Sequence, residues 1–253
     1  MNAAERIERA GSADFQRAVP AGLAASKRIE VAEIAGAVCC VVGAEPGLML
    51  TNRVIGLGLD EPVTAGVLDA VAAFFAAFRA RHFVSGDVPG LEARGYTRGE
   101  SSAVFERDVA AYEPVPSRLE VVEADARRAE EFGAVCGEAS GTPPFLSEWF
   151  GAIVGRDGWH CFFAVDGETP VATGVLYAIE GGAWFGLGAT LRAHRRRGAQ
   201  SALLAARIDR ARELGLTTLV ASTSAGRARD SYRNVERAGF RLVATQPTWM
   251  SPA

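Results

Sequence analysis

The stretch that most limits what this chain can become is residues 190–204, TLRAHRRRGAQSALL. It leaves a strand-like run, FGLGAT, carries four arginines and one glycine, and passes directly into helical periodicity. A helix starting there leaves its first amide N–H groups unpaired at the positive end of its dipole, so the turn can hold an anion. Gly198 has no Cβ and lets the backbone come close to a phosphate. Arg195, Arg196 and Arg197 add positive charge at the same end. The simplest ligand that fits is a pyrophosphate.

With Arg195, Gly198 and Gln200 at its three defining places, the turn resembles the signature of the GNAT acyl-CoA-dependent N-acyltransferases. That signature is Arg or Gln, two residues, Gly, one residue, then Gly or Ala. The resemblance implies that the turn from Arg195, Arg196, Arg197 and Gly198 into Ala199, Gln200 and Ser201 grips the pyrophosphate of acetyl-CoA. It also implies that the preceding strand pairs with the pantetheine arm and that an oxyanion donor lies on the backbone near Ala189, Thr190 and Leu191. Gln200 departs from the pattern: its side chain either donates to the phosphate or crowds the site.

Formal net charge is −3, so no global field draws the chain to nucleic acid or anionic lipid, and the basic cluster is local. An apolar fraction of 49% over 253 residues can fill one large core or two smaller ones. Four cysteines without CxxC spacing make a disulfide framework or a metal site an unfavoured reading, and a reducing cytoplasm fits best. No window approaches a membrane span, so a soluble protein is expected.

Two short helices are expected over residues 3–25, broken near Gly11 and Pro20, followed by a buried VCCVV strand and another strand over 48–58. Thr64 is a candidate cap for a helix whose one face carries Val67, Leu68, Val71, Phe74, Phe75 and Phe78, and a longer strand region covers 96–108. The segment 113–118, EPVPSR, reads as a boundary between units 1–113 and 118–253. In the second unit, helices are expected over 125–138 and, capped by Thr142, over 144–154. Hairpin turns at Asp166-Gly167 and Gly181-Gly182 join three strands, and a strand, a helix and a final strand or pair follow the arginine turn and its helix. The element order is that of a complete GNAT domain: an α/β (α+β) fold with a mixed central sheet flanked by helices.

The two units echo each other. Gly56-Leu57-Gly58 recurs as Gly186-Leu187-Gly188, and LEARGY at 91–96 recurs as VERAGF at 235–240. In the first copy LDEPVT replaces the arginine turn, which implies a tandem protein whose N-terminal half keeps the fold and lacks the cofactor site.

Acyl transfer to an amine needs a neutral amine, fixed donors for the oxyanion and a proton for the leaving thiolate. The position where GNAT enzymes often place a tyrosine is Val235 here, so Tyr232 or Ser231 is the candidate acid, the alternative for Tyr232 being a packed structural ring. Asn234 and Arg237 are candidate cofactor contacts on the same helix, and no general base is evident. The leading expectation is acetyl-CoA-dependent acylation of a primary amine, on a small molecule or a peptide, by direct attack in a ternary complex. A catalytically silent acyl-CoA-binding protein is the alternative. Nucleic-acid binding through Arg192 and Arg195–Arg197 ranks below both, and a dinucleotide site is disfavoured because Leu191 stands where a third glycine belongs.

Overall fold

The computed structural model describes residues 3–110, 119–226 and 229–252, which form two compact units, Met1–Ala103 with Thr245–Ala253, and Val104–Ala244. The expected boundary at 113–118 lies outside the described residues. The division nonetheless differs from 1–113 and 118–253, because one strand from each half joins the other half's sheet.

The first unit begins with helices α1 (Ala3–Arg17) and α2 (Ala21–Lys27). Helix α1 runs through Gly11, which is buried, so only the break before α2 appears, with Pro20 as its N-cap. Strands β1 (Ile29–Ile34) and β2 (Ala37–Val42) form an antiparallel hairpin, and all of β2 is buried. The strand expected over 48–58 shrinks to β3 (Arg53–Ile55), because 48–52 is turned and Asn52 uses its side chain to hold the Val42 amide and the carbonyls of Glu45 and Pro46. Helix α3 (Ala65–Ala76) starts where Thr64 Oγ1 accepts from the Val67 amide. Strands β4 (Phe83–Ser85) and β5 (Thr97–Arg98) follow.

The second unit takes up β6 (Ser102–Asp108), β7 (Glu120–Glu123), α4 (Ala129–Ser140), α5 (Leu146–Gly151), β8 (Trp159–Asp166), β9 (Thr169–Ile179) and β10 (Gly182–Thr190). After the arginine turn come α6 (Ala199–Glu213), β11 (Thr218–Ser224), α7 (Asp230–Arg237) and β12 (Arg241–Gln246), and the chain ends on β13 (Thr248–Met250). Thr142 does not cap α5; its hydroxyl donates back to Gly137 at the end of α4.

The sheet orders are β1-β2-β3-β4-β13-β5 and β12-β6-β11-β10-β9-β8-β7. Each sheet contains a parallel pair joined through a helix, β3 with β4 across α3 and β10 with β11 across α6. Outward from those pairs the orders correspond: β4-β13-β5 in one sheet, β11-β6-β12 in the other. The long strand region expected over 96–108 therefore splits between sheets, and the final strand or pair expected over 240–249 is a pair, β12 and β13, with one member in each sheet. Trp249 of β13 completes the core around Leu68, Val71, Phe75 and Leu91.

The second echo is a shared cap. Gly95 and Gly239 both have positive φ, +81° and +79°, and in each the next amide reaches back five residues, Tyr96 to the Leu91 carbonyl and Phe240 to that of Val235. The first echo is not conformational: Gly56 and Gly58 have positive φ, whereas Gly186 lies in extended strand.

Candidate active site

The site is built where β10 and β11 part. They pair in parallel only from Gly182 with Thr218 to Phe185 with Ala221, and beyond that point β10 keeps its ladder with β9 alone. Between Gly186 and Ala189 the β9–β10 register gains one residue on β10, a bulge with Leu187 at φ +46° and its carbonyl accepting from Thr173 Oγ1. Glycine is required at 186 because the Trp184 ring occupies the space a Cβ would take. Leu191 donates its amide to Val171 at 2.9 Å, so it faces β9. Successive peptides of a strand point to opposite edges, which turns the Thr190 amide toward the edge that β11 leaves open.

The arginine turn closes the head of this opening. Gly198 is the N-cap of α6 at φ +88° and supplies no side-chain cap. The first intrahelical bond is from Ala202 to the Gly198 carbonyl, so the amides of Ala199, Gln200 and Ser201 have no partner among the described residues. Three free amides at the start of a 15-residue helix are able to hold an anion. By contrast, α3 satisfies one of its first amides with Thr64 itself.

A groove of about 1210 Å³ runs from this helix end along the open edge of β10 to α7. Of the residues singled out from the sequence, Ala189, Thr190, Arg195, Arg196, Gly198, Ala199, Gln200, Ser201, Ser231, Asn234 and Arg237 line it. Leu191, Arg197 and Tyr232 are not among the lining residues. Arg197 reaches instead to Asp166 of the β8–β9 hairpin at 3.2 Å, and His194 Nδ1 approaches the same carboxylate at 3.5 Å. Arg195 braces the turn, donating to the Thr190 carbonyl and to that of Ala139 near the end of α4. Tyr232 is buried, with its ring edge-on to Phe105 at 4.8 Å. The Ser231 hydroxyl shares a 2.6 Å hydrogen bond with Thr223.

Gln200 neither crowds the free amides nor points to a phosphate. Its Nε2 donates to Ala189 O and Thr190 Oγ1 at 3.1 and 3.0 Å, folding the side chain back onto β10. Gly188 makes this possible, since a Cβ there would lie 2.9 Å from Gln200 Oε1.

Several lining residues carried no local signal in the sequence: Arg207, Arg229, Arg233, Thr223 and Ser140. Arg207 is buried, and desolvation pulls its pKa down to about 9. Strand β6 sets α7 in place, with Phe105 against Tyr232 and Arg107 donating to the Ala238 carbonyl at the helix C-terminus. Asp230 is the carboxylate among the described lining residues, against six arginines, so the groove is strongly positive. These features fit an acyl-CoA: unpaired amides and arginines for its phosphates, an open strand edge for its amide-bearing arm. Among the described residues no helix is long and apolar enough to cross a membrane.

Residues 124–240 match the family model described as Acetyltransferase (GNAT) family. No curated protein matches the chain significantly. A GCN5-related N-acetyltransferase from Kribbella flavida superposes with TM-score 0.67 at 23% identity, over 100% of this chain and 97% of that one. A tandem GNAT protein from the clavulanic acid biosynthesis pathway gives TM-score 0.60 at 15% identity, covering 97% and 96% of the two chains. A GCN5-related N-acetyltransferase from Sphaerobacter thermophilus gives TM-score 0.59 at 16% identity, with 85% and 80% covered. The mixed sheets flanked by helices are the fold of these proteins, and the segment 124–240, which carries most of the groove wall, belongs to the acetyltransferase (GNAT) family.

Proposed function

We propose that the chain is an acetyl-CoA-dependent N-acetyltransferase that acylates a primary amine by direct attack in a ternary complex. Family membership supports acyl-CoA N-acyltransferase activity in general; the observation that carries the finer reading is the row of unpaired amides at Ala199, Gln200 and Ser201, set at the head of a groove whose floor is an open strand edge. Bound there, acetyl-CoA supplies the activated acyl group.

The chain's own residues then have separable tasks. The α6 amides and Arg196 hold the diphosphate, while Arg195 and the Asp166 pairs hold the turn. The Thr190 amide, facing the open edge, is the oxyanion donor, replacing Leu191 in that role. Ser231, bonded to Thr223, takes the place of Tyr232 as candidate proton donor on α7. Asn234 and Arg237, 3.5 Å apart, contact the cofactor from the same helix. The first unit is read as a degenerate GNAT-like half, because Thr64 caps the helix equivalent to α6 and Asp60 before it pairs with Arg9.

Calorimetry with acetyl-CoA, together with thiol release across a panel of primary amines, tests this reading. Tight binding with amine-dependent release of CoA is expected; absence of binding overturns it. A catalytically silent CoA-binding protein is the second reading, favoured by the burial of Tyr232 and by Val235 in the groove wall. Binding with release at background for every amine selects that one.

A further inference from the structure

Arg207 stands on the third turn of α6 with 3% of its surface exposed, and it lines the groove. Its Nε donates to the Leu203 carbonyl at 2.9 Å and its Nη1 to those of Val175 and Gly186 at 3.1 and 3.5 Å. The guanidinium carbon lies 4.8 Å from the Phe185 ring centroid. Nη2 donates to nothing among the described residues, and no acid stands beside the group. Strands β9 and β10 contain no ionic residue, and on α6 Asp209, Arg210, Arg212 and Glu213 pair with one another or with Glu123. A Cβ at Gly174 would lie 3.0 Å from the guanidinium carbon, so the strand beneath is shaped to let this arginine lie flat. A buried charge with only neutral partners is costly, and an anion reaching it from the groove offsets that cost.

Its depth matches one part of an acyl-CoA. Nine residues separate Gly198 from Arg207, about 13 Å along a helix axis. A pantetheine arm, roughly four peptide units long, extends about 14 Å from the diphosphate to its sulfur. Resting on the acyl-CoA reading above, we propose that Arg207 is a catalytic residue that receives the negative charge of the departing sulfur. As the amine nitrogen forms the new C–N bond, the C–S bond breaks and its electron pair stays on sulfur. The amine's surplus proton passes to water, and the thiolate remains beside the guanidinium until it is protonated.

The test compares CoA with desulfo-CoA, which lacks the thiol, by calorimetry on the full chain between pH 6.5 and 8.5. A neighbouring cation lowers a thiol pKa by about one unit or more from its usual value near 8.5. Affinity for CoA relative to desulfo-CoA should therefore rise about fivefold or more across the window in wild type. Arg195, Arg196, Arg229, Arg233, Arg237, Asp230 and His194 face the groove too, and the ratio to desulfo-CoA, which meets the same groups, separates the thiol from them. Arg207→Gln keeps a donor toward the carbonyls and removes the charge; it should bind desulfo-CoA and give a flat ratio, while Arg207→Lys restores the rise. A flat ratio in wild type, or an equal rise in Arg207→Gln, overturns the role of Arg207 while leaving the cofactor reading intact. Failure of both ligands to bind wild type overturns the cofactor reading itself.

Discussion

Replacing Gly198 by Asp separates the fold from the anion site. The residue sits at φ +88° and ψ 2°, where a side chain costs about 1–2 kcal/mol. An aspartate at an N-cap returns about 1 kcal/mol by accepting from the next amides, so stability should change by about 1 kcal/mol or less. Binding should suffer more. A carboxylate about 5 Å from a diphosphate of charge −2, in an exposed turn with an effective dielectric constant of about 60, raises the energy of the complex by about 2 kcal/mol. Diverting one amide into the new cap adds about 1 kcal/mol, and physiological salt removes part of the Coulomb contribution. The net expectation is a thirty- to hundredfold loss of CoA affinity in calorimetry, smaller at higher salt, with little change in melting temperature. Gly198→Ala adds a Cβ beside the phosphates without the charge and should lose less CoA affinity than Gly198→Asp. If Gly198→Asp melts normally and binds CoA within about threefold of wild type, the α6 amides are not the diphosphate site.

Asp166→Asn removes the charge that holds Arg197; at about half exposure this pair contributes roughly 0.2–1 kcal/mol, so KM for acetyl-CoA should rise up to about fivefold with kcat nearly unchanged. Tyr232→Phe keeps the packing on Phe105 and should leave turnover within about twofold, whereas Ser231→Ala should lower kcat about ten- to a hundredfold. In Gly133→Ala the new methyl meets the Ser147 carbonyl between α4 and α5, an overpacking expected to cost about 1–3 kcal/mol in urea unfolding. His82, stacked on Phe75 and bonded to Tyr96, has its pKa pulled down to about 4 by burial. The unfolded chain binds the proton more readily, so this contribution is complete above about pH 6.5 and is lost as pH falls toward 4. Relative to His82→Phe, wild type should lose about 1.4 kcal/mol per pH unit in that window, measured by denaturant unfolding.

What was legible in the sequence is what neighbouring residues decide. Thr64 caps α3 through an atom three residues away, Gly198 starts α6, and Gly95 and Gly239 end their turns by adopting positive φ. Each is a contact within one turn of chain, and each leaves its mark in residue type and spacing. The same holds for the arginine turn, whose amides are unpaired because of where the helix begins. Side-chain destinations were less legible. Three adjacent arginines look equivalent in sequence, yet Arg195 braces carbonyls, Arg196 lines the groove and Arg197 turns to Asp166, because a turn with alternating backbone conformation sends successive side chains in different directions.

The sequence by itself determined the local units: a strand entering an arginine-rich turn with glycine at its end, the helix after it, and a family of folds that uses such a turn. Only the tertiary structure decided that residues 102–108 and 248–250 exchange sheets, that β10 and β11 separate after Phe185, that Tyr232 packs against Phe105, and that Arg207 is buried beneath the opening. The reason is physical. Strand partners and buried neighbours distant in the chain are selected by the hydrogen bonds and apolar surface that the whole molecule satisfies, and that selection leaves no periodicity in the segments themselves.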